Sequence, residues 1–290
     1  MKKYSSLGDL LFDFRHENKM SQSDLALEFD VDVRTIIRWE KNETLLKPEK
    51  EEQMVDVTFI PYQVIRNLNA PVVIPTFYDF DIRKYSLSTL FIDLPDVDWL
   101  LSKSSMTTSR ARTIKYDSDI NDIIRSTLVQ KHILKPINRS LIIKATTLLP
   151  CLNTVIFDKS GYYSGHCIIL PLSMRTYNKI KNRTLKEEEI SDTDLINYKV
   201  ESNPVFYLYD LTTDCNANFY YIIGIIMNFF KSYKENYLYA SITSRKDTYT
   251  INKQLGTTLV WEDKDLQKKI NSKAPPRLYE GNFKIFLNKK

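Results

Sequence analysis

Val205-Phe-Tyr-Leu-Tyr-Asp-Leu211 is an apolar run interrupted by one carboxylate, and Phe219–Tyr233 follows it as a second, longer apolar stretch. The first has the length and aromatic content of a buried strand; the second is long enough for a helix of about four turns. A buried strand handing over to a buried helix is the building unit of an α/β or α+β domain. Working outward, strands are expected at Tyr237–Thr243, Thr257–Trp261 and Asn282–Leu287, with a helix at Asp247–Leu255. Upstream, Arg112–Tyr116 reads as a strand and Ile120–Gln130 and Arg139–Leu148 as helices. Asn153–Phe157 and Tyr163–Leu170 read as a hairpin around Asp158-Lys-Ser-Gly161, and Ser173–Ile180 and Lys186–Asn197 carry helical spacing. Residues 111–290 are therefore expected to form one mixed sheet-and-helix domain.

The N-terminal part has a different texture. Leu7, Leu10, Leu11 and Phe14 follow the i, i+3, i+4, i+7 spacing of one buried helical face. Ser21 suits an N-cap, with Asp24 three residues on. Asp32 can cap a third helix to about Lys41, and Pro48 suits the first turn of a fourth. An all-α domain over residues 1–66 is expected. Residues 67–110 form a connector with Pro71, Pro75 and Pro95, too apolar to float in water (Phe77, Tyr78, Phe80, Leu90, Phe91, Leu94, Trp99, Leu100). The Ser/Thr-rich stretch 102–110 is the expected hinge.

At 290 residues, two domains are the natural division. A hydrophobic share of 43% and a charged share of 27% are those of a globular chain. The most apolar run, Tyr220–Phe230, falls short of the roughly 20 residues of a membrane span. Asp9 and Asp13 interrupt any export signal. Cys151, Cys167 and Cys215 include no CxxC pair, and three scattered histidines give little support to a metal site. A reduced, cytoplasmic protein without metal or membrane contact is expected. Residues 1–66 hold 10 basic and 13 acidic residues, a net −3; the rest of the chain carries +8.

Ser21-Gln-Ser-Asp-Leu-Ala, with Val31, Ile36 and Trp39-Glu40 at matching spacing and Arg15 before them, resembles the helix-turn-helix of the Cro and phage-repressor family. The resemblance implies a second helix lying in a DNA major groove. Arg34, Arg38 and Lys41 share one polar face of that helix. Arg34 and Arg38 would read guanine, Val33 and Thr35 would touch thymine methyls, and Gln22 would meet a phosphate. Arg15 and Glu40 are expected to pair structurally, and Trp39 to sit in the core. The turn carries Asp30 where glycine is usual.

The later elements resemble a GNAT N-acetyltransferase domain over roughly 111–290. The resemblance is carried by Arg112-Thr-Ile-Lys-Tyr-Asp-Ser-Asp-Ile120, by Gly165-His-Cys-Ile-Ile-Leu-Pro-Leu-Ser173, by the Val205–Asp210 strand with its helix, and by Tyr239-Ala-Ser-Ile242 followed by Asn252-Lys-Gln-Leu-Gly256. It implies acetyl-CoA, its pyrophosphate held by a glycine loop at a helix N-terminus. The corresponding stretch, Thr213-Asp-Cys-Asn-Ala-Asn-Phe-Tyr-Tyr221, has no glycine and no arginine, and Gly224 falls inside the helix. The positions for a cofactor would be Asn216, Ala217, Asn218, Phe219 and Tyr220. Asp210 and Tyr249 are the candidates for proton transfer, and His166 reads as an ordinary strand residue.

The leading expectation is a sequence-specific DNA-binding transcriptional regulator with a degenerate acetyltransferase-like sensor or interaction domain and no bound cofactor. It would act on double-stranded DNA as a homodimer, with a small-molecule or protein effector. The alternative is a GNAT-type N-acetyltransferase using acetyl-CoA, with a self-regulating helix-turn-helix.

Overall fold

The computed structural model describes every residue except 82, 88–93, 106–108, 132–134, 234–236, 247 and 289–290, and the side chains of 129–131 and 285. Leu90, Phe91 and residues 106–108 of the expected hinge lie outside the described residues. The chain forms two compact units: Met1–Leu90 with Thr213–Asn216, and Phe91–Thr212 with Ala217–Lys290.

In the first unit, β1 (Lys2–Tyr4) precedes helices α1 (Leu7–Glu17), α2 (Gln22–Glu28), α3 (Val33–Glu40), α4 (Pro48–Thr58) and α5 (Tyr62–Leu68), and β2 (Thr76–Asp79) and β3 (Lys84–Ser86) follow. The starts of α1, α2 and α3 are capped by the side chains of Ser6, Ser21 and Asp32, which accept the orphan amides of each first turn. Asp30 takes the left-handed conformation at φ +47°. Leu10, Leu11, Leu25, Phe29, Ile36, Met54, Ile60 and Ile65 fill the core, with Trp39 edge-on to Phe29 at 5.7 Å. The expectation of an all-α unit is corrected: β1, β2 and β3 form a three-stranded antiparallel sheet, with Lys2 opposite Tyr78 and Phe77 opposite Ser86.

The second unit runs α6 (Val97–Lys103), β4 (Arg110–Thr113), α7 (Asp117–Lys131), α8 (Arg139–Leu148), β5 (Thr154–Phe157), β6 (Tyr163–Leu172) and α9 (Met174–Lys181). It continues through β7 (Val205–Thr213), α10 (Asn216–Ser232), β8 (Leu238–Thr243), α11 (Thr248–Leu255), β9 (Thr258–Glu262), α12 (Lys264–Ile270), β10 (Arg277–Gly281) and α13 (Lys284–Leu287). Seven strands form one sheet in the order β4-β5-β6-β7-β8-β10-β9. β7 and β8 run parallel, while the β4–β5, β5–β6, β8–β10 and β9–β10 pairs are antiparallel. This is the mixed α/β sheet expected for 111–290. Phe206, Ile222, Ile226, Met227, Phe229 and Phe230 make its main core with Leu100, Tyr239, Phe283 and Phe286.

Two expected elements differ. Lys186–Asn197 is not a helix but two 3-10 turns, Glu187–Glu189 and Asp192–Asp194. The Glu187 carboxylate accepts a 2.9 Å hydrogen bond from the buried Tyr207 hydroxyl, so this acidic run is not simply solvated. The last strand is Arg277–Gly281 and not Asn282–Leu287. Phe283 and Phe286 are both buried, three residues apart, which is helical and not strand spacing.

The turn from β4 into α7 hangs on Asp119. Its fully buried side chain accepts from Arg112 at 2.5 and 2.6 Å and from the Lys115 and Tyr116 amides at 3.0 and 2.9 Å. Burial pushes its carboxyl up, but the Arg112 and backbone hydrogen bonds outweigh it and hold the group below the usual aspartate range. Because the folded value is depressed, the stabilisation is present above the unfolded value of about 3.9 and is lost as pH falls through the folded one. Asp119→Ala is expected to destabilise the unit by about 2–4 kcal/mol at neutral pH, since it strands two amides and a guanidinium. Denaturant titrations of wild type and variant should draw together as pH falls from neutrality through and below the unfolded value of about 3.9; a gap that does not shrink over that fall would disprove the linkage.

Candidate functional site

The parallel pair at the middle of the sheet sets up the site. β7 and β8 are paired from Val205 opposite Leu238 to Leu208 opposite Ser241, and β7 then continues to Thr213. Carboxyl ends of parallel strands that part company are where open α/β sheets place their ligands. Asp210 stands two residues beyond the last pair.

Asp210 is not an ordinary helix cap. Its Oδ2 lies 2.9 Å from His166 Nε2 and accepts a 3.3 Å bond from the Thr127 hydroxyl of α7. The other imidazole nitrogen, Nδ1, is hydrogen-bonded to the Tyr163 hydroxyl. The four residues form one buried polar chain: His166 is wholly enclosed, and the Asp210 side chain is 10% exposed.

Local geometry explains how Tyr163 and His166 meet. Side chains three apart on a regular strand point to opposite faces. Here Ile156 of β5 faces Gly165 while Phe157 faces Tyr163, so β6 carries one extra residue, a β-bulge at Ser164. Gly165, at φ +151°, supplies the backbone conformation that the bulge requires. The signal in the sequence was Ser164-Gly165 inside an otherwise apolar strand. His166, read there as a strand residue only, is the candidate residue that reading missed; its partner lies 44 residues away.

The hydrogen-bond partners assign the proton positions. Asp210 is acceptor-only when ionised, so His166 donates from Nε2. A neutral ring then accepts at Nδ1 from the Tyr163 hydroxyl. Burial first, and then the charge of Asp210, push the Cys167 thiol up; Tyr209 is pushed up by burial, then by Glu187 and Asp210. Such a chain can take up a proton on the imidazole, with Asp210 stabilising the imidazolium. Cys167, raised and buried, is poorly suited to act as a nucleophile.

The other proton-transfer candidate, Tyr249, sits in the first turn of α11. Its ring covers the Arg277 guanidinium at 3.5 Å and meets Tyr279 edge-on at 6.1 Å.

The expected cofactor loop has other partners. The Tyr85 amide donates to the Asp214 carbonyl, and Tyr85 forms a parallel bridge with Cys215. Asp214 and Asn218 are buried, Asn216 is half-buried and Ala217 is exposed. Phe219 packs on Tyr220, which meets the Trp99 ring edge-on at 5.1 Å. A Cβ on Gly224 would fall 2.5 Å from the Leu100 carbonyl, so this glycine admits α6 and serves no phosphate. The pyrophosphate of acetyl-CoA does not fit these residues. Among the described residues no group of His, Cys, Asp and Glu could hold a metal ion, and no helix is long and apolar enough to cross a membrane.

In the first unit, Arg34, Arg38 and Lys41 are exposed, while Val33 and Thr35 are half-buried. Gln22 does not stand free for a phosphate: its amide donates to Glu40 at 2.7 Å. Glu40 also pairs with Arg15 through Nε at 2.7 Å, the structural pair that was expected.

No family model matches the chain, and no curated protein does. Among solved structures, the chain is similar to one described as the histone acetyltransferase HPA2 and related acetyltransferase from Corynebacterium glutamicum. Identity is 10% and the TM-score 0.33, with 61% of this chain and 97% of that one covered. It is also similar to FeeM, an N-acyl amino acid synthase from uncultured soil microbes, at 10% identity and TM-score 0.36, with 60% and 91% covered. The leading expectation, a DNA-binding regulator of the Cro and phage-repressor type, is corrected here. The two descriptions name an acetyltransferase and an N-acyl amino acid synthase. The first unit also combines helices with a sheet, and its proposed phosphate contact, Gln22, is tied to Glu40.

Proposed function

We propose that the second unit is an acyltransferase that moves an acyl group from a thioester to an amine, the alternative that the sequence offered. The observation that carries this reading is the Asp210–His166–Tyr163 chain just past the point where the parallel strands stop pairing. In such a transfer the amine nitrogen attacks the carbonyl carbon. The new C–N bond replaces the C–S bond, and the proton lost by the amine ends on the departing thiolate. The chain's own residues handle that proton. Asp210 orients His166 and stabilises its charged form; His166 takes the proton, and Tyr163 connects the ring to the end of the strand. Acetyl-CoA is the donor that the resemblance implies, yet the 213–220 stretch offers its pyrophosphate no cradle, and no step is assigned to it.

The test is amine-dependent thiol release. Full-length protein with an acetyl thioester should liberate thiol only when an acceptor amine is added. Release unaffected by any amine, or absent across a broad amine panel, would refute acyl transfer.

A further inference from the structure

We infer that the acyl donor is taken by its thioester arm and not by a nucleotide diphosphate, so that a thioester lacking the nucleotide serves as well as acetyl-CoA. This rests on the acyl-transfer reading and names its donor class.

Three observations on the loop before α10 converge. A diphosphate needs successive free amides and close backbone approach, which is why glycine recurs in phosphate loops. Every residue from Thr213 to Ile223 carries a Cβ, and Asp214 and Cys215 are already engaged by Tyr85 of β3. A diphosphate also needs cations, but Val205–Phe230 contains no Lys or Arg. Within the first unit, Arg83 is committed elsewhere: its guanidinium lies 4.2 Å from the Phe59 ring and it hydrogen-bonds Tyr78. Finally, the stretch carries its own negative charge. Asp214 is buried, and its charge is among the influences that raise the Tyr78 hydroxyl, after burial itself. A buried carboxylate offers a diphosphate no hydrogen-bond donor.

The bond changes are those of any thioester aminolysis. The C–S bond breaks, the C–N bond forms, and the thiol leaves with the proton that the amine loses. No oxidant or further reactant is required.

The experiment compares acetyl-CoA with acetyl-pantetheine on the full chain at one saturating amine, reading kcat/KM for each. A parallel titration measures binding of adenosine 3′,5′-bisphosphate by calorimetry. The expected result is two kcat/KM values within about threefold and no saturable nucleotide binding up to millimolar concentration. A preference for acetyl-CoA of a hundredfold or more, or saturable nucleotide binding, overturns the inference while leaving acyl transfer in place. No turnover of either thioester overturns the acyl-transfer reading, and the donor class falls with it.

Discussion

His166→Gln is expected to slow amide formation by about 10²–10⁴-fold, the usual contribution of a positioned acid–base group. Glutamine can still hydrogen-bond to Asp210 and to the Tyr163 hydroxyl, which flank His166 in the folded chain. It cannot carry a proton, so rate and stability should separate: kcat falls while the thermal midpoint moves little. Asp210→Asn should lose a similar factor, because the amide cannot stabilise an imidazolium and misdirects the ring's proton. Residues acting as one unit are strongly non-additive. The double variant should therefore be no slower than the worse single variant by more than a few-fold. Losses that multiply would mean that the two residues act separately and that the chain is structural.

The second large effect concerns stability. Asn153 lies between the end of α8 and β6 and is fully buried. Its Nδ2 donates to the Leu149 and Ile169 carbonyls at 2.9 and 3.0 Å and to Ala145 at 3.2 Å, and its Oδ1 accepts from the Ile169 amide at 3.0 Å. One side chain thus satisfies backbone groups of a helix end and of the strand that carries His166. Asn153→Ala removes the side-chain partner of the Ile169 amide and carbonyl in a site closed to water, while the Ala145 and Leu149 carbonyls keep backbone donors. The expected cost is about 2–4 kcal/mol, or a drop in thermal midpoint of about 4–16 °C for a unit of this size. Asn153→Asp should cost at least as much, because it keeps the acceptor but replaces the donor with a buried charge. A variant within 1 °C of wild type would show that this link carries little of the fold.

What the sequence could show divides along physical lines. Arg139–Leu148 was legible to the residue because Asn138 caps it and its apolar spacing is regular. β7 and α10 were legible because burial on all sides makes their apolar runs long. The strands of the first unit were not. Lys2-Lys-Tyr4 is too short for any pattern, and its partner Tyr78 lies more than seventy residues away. α6 was hidden in a proline-punctuated connector, although Asp96 caps it by accepting from the Trp99 amide. Asp210 could be singled out as a carboxylate in an apolar strand, but its pairing with His166 depends on a sheet neighbour and a one-residue bulge. Alternation alone would have put Tyr163 and His166 on opposite faces. The missing glycine loop, by contrast, was a matter of composition and could be read directly; that Tyr85 occupies the same backbone could not.

Acyl transfer through Asp210 and His166 is the central claim, and one measurement bears on it most directly. Full-length wild type and the Asp210→Asn/His166→Gln double variant, matched for folding by circular dichroism, are each incubated with an amine panel and either acetyl-CoA or acetyl-pantetheine, and the acylated amine formed from whichever thioester serves better is quantified by mass spectrometry. The account predicts a defined N-acetyl product from the wild type and at least a hundredfold less from the double variant. Equal product from both, or none above the uncatalysed background from wild type, would contradict it.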